Sequence, residues 1–149
     1  MKPNKWYETS ADKTRESKVA MLLEKSWQCK MVEMPKHHWF DYCAFKNGIV
    51  VAYVEIKNRT NRHDHYPTYM ISSKKIAHGL NAAAMLRIKF LLVVQFTNAL
   101  MFVDVAKAKF VLNIGGTTAR NDEQDIEIVA KIQMNEFRKI NERNDDGII

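Results

Sequence analysis

Polar and apolar positions change period several times along the chain, and each change marks an element. Val19, Leu22 and Leu23 form an apolar stripe at helical spacing, predicting a helix from about Lys13 to Ser26 capped by Ser10 or Asp12. Trp27–Met34, Trp39–Phe45 and Ile49–Lys57 read as strands, with Lys46-Asn47-Gly48 as the hairpin turn between the last two. The polar run Asn58–Met70 reads as a loop. A second helix is expected from Ser72 to about Lys89, its stripe formed by Ile76, Leu80, Ala83, Ala84 and Ile88. Phe90–Phe96 is apolar on both faces and is expected to be a central strand. Leu100–Val105 follows as a strand, which Lys107–Ile114 either continues or follows as a further edge strand, then a turn at Gly115-Gly116 and a polar loop at Thr117–Gln124. Ile126–Ile132 alternates like an edge strand, and Met134–Ile140 reads as a short terminal helix. Residues 1–9 and 141–149 are expected to be loose ends. The order of elements predicts one α/β domain, a mixed sheet with helices on its faces.

One strand breaks its own pattern. Ile49-Val-Val-Ala-Tyr-Val is apolar and β-branched, then ends in Glu55-Ile56-Lys57. Side chains alternate along a strand, so Glu55 and Lys57 share a face. Opposite charges on one face of a buried strand point to something bound there. Asp41 lies on the preceding strand. A two-residue turn would pair Asp41 with Val54 and turn it away from Glu55. A three-residue turn pairs Phe45 with Ile49 and Asp41 with Tyr53, bringing Asp41 and Glu55 onto one face; that register is expected, and a bulge further along would serve as well. Glu16 sits at one end of the first helix's buried stripe.

Hard divalent cations take oxygen ligands and keep several waters. Asp41, Glu55, the backbone carbonyl of Ile56 and, as a further acid, Glu16 offer such a set beside Lys57. Clustered carboxylates repel unless a cation offsets them. Around this group, Lys36 and His37, Arg59 and Arg62, and Lys74 and Lys75 are candidates for phosphate contacts, with Tyr66 or Tyr69 available for sugar or base. Lys74 and Lys75 fall in the first turn of the second helix, where the helix dipole disfavours cations, so an anion is expected nearby.

Composition adds a modest push in the same direction. The 149 residues carry 23 Lys and Arg against 17 Asp and Glu, a net charge of +6 that favours a polyanionic partner. Cys29 and Cys43 have no metal-ligand spacing and read as reduced core thiols of an intracellular, cytoplasmic protein. No apolar run is long enough for a membrane span, and no membrane partner is expected.

Asp41 followed by Glu55-Ile56-Lys57 resembles the PD-(D/E)XK nuclease superfamily, with Phe40 where the family name has Pro. Glu16 matches the extra acid that members carry on the first helix. The separations, 25 residues from Glu16 to Asp41 and 14 from Asp41 to Glu55, are similar to those of archaeal- and phage-type Holliday-junction resolvases. The resemblance implies a restriction-endonuclease-like fold and a Mg²⁺-dependent endodeoxyribonuclease, with Mn²⁺ able to substitute. Its catalytic residues would be Glu16, Asp41, Glu55 and Lys57, in a homodimer acting on branched DNA during recombination or repair, in a host cytoplasm if the source is viral. A restriction-like or nicking nuclease of the same fold, or a non-catalytic basic DNA-binding protein, are the alternatives. The apolar strand Leu100–Val105 or the C-terminal elements are the candidate dimer interface.

Overall fold

The structure is a computed structural model that describes residues 10–36, 38–116 and 126–141. His37, the loop expected at Thr117–Gln124 and, apart from Asn141, the expected loose ends lie outside these residues.

Helix α1 (Ser10–Trp27) is followed by strands β1 (Lys30–Glu33), β2 (Tyr42–Lys46), β3 (Ile49–Asn58) and β4 (Thr68–Ser72). Helix α2 (Ser73–Leu86) precedes β5 (Lys89–Gln95), β6 (Leu100–Asp104), β7 (Phe110–Gly116), β8 (Ile126–Gln133) and β9 (Arg138–Lys139). Six strands form one sheet in the order β1-β2-β3-β5-β6-β9; β4, β8 and β7 form a second. In the larger sheet β3 and β5 run parallel and every other pair is antiparallel, so the sheet is mixed. The β4–α2 segment is the crossover that parallel neighbours require.

Alternation along β3 and β5 divides the core in two. Val54 and Ile56 face the α1 side with Leu91 and Val93, against Val19, Leu23 and Trp27. The other face carries Phe90, Leu92 and Val94 and is covered by Ile76 of α2 and by Tyr69, Ile71, Ala130 and Ile132 of the smaller sheet. The helices thus flank the mixed sheet as the sequence implied.

Several boundaries differ from the expectation. Trp27 closes α1 instead of opening a strand: Gln28 takes a left-handed φ of 54° and the Cys29 amide donates to the Glu24 carbonyl, a helix-ending arrangement. Trp39, Phe40 and Asp41 precede β2: the Trp39 and Phe40 rings pack on α2 and β5 rather than alternating across a sheet. The polar run after β3 contains an unexpected strand at its end, β4. Gly115 and Gly116 pair with Glu127 and Ile126 as the end of β7, not as a turn. Strand β8 is the centre of its sheet, and the expected terminal helix is a single 3₁₀ turn, Met134–Glu136, followed by β9. The candidate interface strand β6 is occupied within the chain: Met101, Phe102 and Val103 are buried. Among the described residues no helix is long and apolar enough to cross a membrane.

Helix α2 lies directly on the sheet at Gly79. A Cβ there would stand 2.0 Å from Cδ2 of Phe90, a fully buried ring. Gly79→Ala therefore lowers stability by about 1–3 kcal/mol through overpacking, despite the roughly 1 kcal/mol that Ala gains in helix propensity. Urea unfolding checks the sign; a stabilised variant would show that α2 can lift without cost.

Cys29 and Cys43 are free thiols, and burial raises the pKa of both. That of Cys29 is pushed up to about 11, by burial first and the Glu24 charge second. The thiolate is the nucleophile, so at pH 8 Cys29 carries roughly 100-fold less of it than in the unfolded chain, one decade per pKa unit. Iodoacetamide labelling of the native protein is expected to be correspondingly slow and to climb until about pH 11. Fast labelling at pH 8 would contradict this burial.

Candidate active site

The site is assembled by the β2–β3 hairpin. Asn47 and Gly48 both have left-handed φ, 55° and 76°, so the turn has two residues and Lys46 faces Ile49. The three-residue turn expected from sequence, with Phe45 opposite Ile49, does not form. Phe45 pairs with Val50, but Ala44 pairs with Ala52, leaving Val51 as an extra residue on β3. This bulge shifts the register, so that Tyr42 pairs with Val54. Asp41, the next residue back, therefore comes alongside Glu55 instead of facing away. The Ile56 amide donates to Asp41 Oδ2 at 3.0 Å. Asp41 and Glu55 are 2% and 0% exposed.

Two lysines meet Glu55. Lys57 Nζ lies 4.0 Å from Oε1, and its side chain keeps 25% of its exposure. Lys75 Nζ lies 2.7 Å from Oε2, its side chain only 10% exposed. Lys75 also donates to the Trp39 carbonyl and stands 5.6 and 5.5 Å from the centres of the Trp39 and Phe40 rings. Trp39 stacks at 3.6 Å on His78, one turn further along α2. The α2 N-terminus, the segment leading into β2 and the end of β3 thus converge on one carboxylate.

Of the residues picked from sequence, Asp41, Glu55 and Lys57 are brought together. Glu16 is buried on α1, against the opposite face of the sheet from Glu55; after burial, its charge is among the influences that raise the pKa of the Tyr42 hydroxyl. Among the described residues no group of three or more His, Cys, Asp or Glu side chains is placed to hold an ion.

Lys36 and Lys74 are exposed, as phosphate contacts must be. Arg59 is exposed too, with its guanidinium 4.8 Å from the centre of the Tyr69 ring. Arg62 holds Asp64 through two hydrogen bonds, 3.0 and 3.2 Å, which keep the Asp64 carboxyl below its usual range. Lys75 departs from the reading as a surface phosphate contact. The anion beside it is the protein's own Glu55. The dipole argument had flagged this lysine as needing an anion, but only the fold supplies the partner.

The sequence matches, over residues 2–140, the family described as "Phage putative PDDEXK endonuclease". The chain belongs to this family. It is accordingly a nuclease, and PDDEXK nucleases generally use divalent metal ions. The fold is similar to that of Hjc, a Holliday junction resolvase from the archaeal hyperthermophile Archaeoglobus fulgidus. The TM-score is 0.52 at 12% identity, with 84% of each chain covered. No curated protein matches the sequence. Two buried carboxylates, Asp41 and Glu55, and the adjoining Ile56 backbone are oxygen donors of the kind that would suit a hard cation completing its shell with water.

Proposed function

We propose that this chain is a Mg²⁺-dependent DNA endonuclease that cuts branched DNA, four-way junctions foremost, by paired nicks from a homodimer. The observation that carries the reading is the bulge at Val51, which sets Asp41 beside Glu55 with Lys57 on the same face. Asp41, Glu55 and the Ile56 carbonyl would hold the ion, and Mn²⁺ would substitute; Glu16 is left out of that set. A bound divalent ion supplies Lewis acidity toward a phosphate oxygen and lowers the pKa of water. Lys57, a quarter exposed beside Glu55, faces the position of the scissile phosphate and stabilises charge that builds on its oxygens. Lys75 pairs with Glu55 at Oε2 and fixes its position. Lys36, Lys74, Arg59 and the segment at His37 would contact the phosphate backbone, and each neutralised phosphate adds to salt dependence. The fold shared with Hjc supports the junction preference. The two-fold symmetry of a junction favours a two-fold protein.

The test is cleavage of a labelled four-way junction beside linear duplex and single strand, with Mg²⁺ or EDTA, using wild type and Asp41→Asn. Paired symmetric nicks on the junction, lost in EDTA and in the variant, are expected. Equal cutting of duplex would make the protein a general or restriction-like nuclease. Tight junction binding without any cut would make it a non-catalytic binding protein.

A further inference from the structure

Beyond the end of β3 the chain borders a cavity of about 400 Å³ lined by Arg59, His63, Tyr66, Tyr69, Phe96 and Lys131, among others. That volume lies in the range of small-molecule sites. It adjoins the candidate active site: Arg59 follows directly on β3, and the charges of both Arg59 and Glu55 act on the Tyr69 hydroxyl. The lining combines flat rings with two cations. The Arg59 guanidinium lies over the Tyr69 ring, and Tyr66 is 57% exposed. Tyr69 is 5% exposed, and its hydroxyl has no hydrogen-bond partner among the described residues. A buried hydroxyl left this way is costly unless something outside the chain completes it.

We infer that this cavity takes one unstacked nucleotide of the bound DNA, its base against Tyr66 with an edge atom bonded to the Tyr69 hydroxyl, and its phosphate between Arg59 and Lys131. This rests on the nuclease reading above. Aromatic faces accept any base, and cations beside them accept the phosphate that comes with it. A base within a duplex cannot reach such a site without leaving its stack, at a cost that is smallest where pairing is already broken. The cavity therefore selects DNA with unpaired or strained nucleotides near the cut, such as those at a branch point.

The experiment scans 5-iododeoxyuridine through the positions flanking the branch of a four-way junction, in EDTA so that nothing is cut. Each complex is irradiated in the near ultraviolet and the crosslinked residue is mapped by mass spectrometry. A dye far from the branch reports binding by anisotropy on the same samples. Crosslinks from one position to Tyr66, Tyr69 or Phe96 are expected, with the yield falling at least about twofold in Tyr69→Phe, which removes only a hydrogen-bonding hydroxyl. Tyr69→Phe is also expected to be no less stable than wild type in urea; a clear loss would mean the hydroxyl is already bonded within the chain and would overturn the inference. Bound DNA with no crosslink in the cavity overturns the inference and leaves the nuclease proposal standing, whereas no binding at all overturns both. Free 5-iododeoxyuridine monophosphate is irradiated in parallel. Labelling by it alone, with none from the DNA, would assign the cavity to a free nucleotide and likewise overturn the inference.

Discussion

Lys75→Met is expected to lower folding stability by about 3–5 kcal/mol, the usual loss when one partner of a buried pair is removed. Glu55 has no exposure, and Lys75 Nζ lies 2.7 Å from its Oε2. Without that ammonium the carboxylate stays inside a low-dielectric site, with Lys57 at 4.0 Å and partly in water. Urea unfolding near neutral pH measures the loss. The control is Glu55→Met combined with Lys75→Met. Replacing both charges by apolar groups of similar length should bring stability back to within about 1 kcal/mol of wild type or above it. A double variant as unstable as the single one would show that Lys75 acts through packing on Trp39 and Phe40, not through the pair. The double variant is expected to be inactive in either case, since it removes a proposed metal ligand.

Lys57→Met is expected to behave in the opposite way. Turnover should fall by about 10²–10³-fold, the range for losing one preorganised group that stabilises transition-state charge. Stability should move by no more than about 1 kcal/mol, because a long, partly solvated ion pair contributes little to folding. Single-turnover cleavage of the junction and urea unfolding, run on the same preparation, separate the two effects. Unchanged cleavage would remove Lys57 from the reacting centre; a loss of stability as large as that in Lys75→Met would make it a structural lysine instead. These outcomes would give the two lysines on one carboxylate separable duties, one anchoring Glu55 and one facing the substrate.

Local pattern was enough to read the strand that ends in Glu55-Ile56-Lys57, because alternation fixes which residues share a face whatever the strand packs against. It was enough for α2 as well: Ser72 caps the helix by accepting from the Lys74 amide, and Arg87 ends it in a left-handed conformation, close to the expected limits. Asp41 was legible as a candidate through its spacing from Glu55. Its strand was not, because the aromatic run Trp39–Phe40 looks like β structure and in fact packs its rings on α2 and β5. Strand β4 was hidden at the end of a polar run; its inward residues Tyr69 and Ile71 acquire a face only when β8 pairs alongside.

The sequence by itself determined the α/β class, the hairpin, and the identity of the Asp41, Glu55 and Lys57 trio, since these follow from composition and periods within a few residues. Tertiary structure alone decided the register, by spending Val51 on a bulge after a tight Asn47-Gly48 turn. It also turned Lys75 inward to Glu55 across 20 residues of sequence. The reason is physical. Which face a side chain occupies is a local property of the backbone, but which charge it meets depends on how separate elements pack, and the low dielectric of that packed site decides what the meeting is worth.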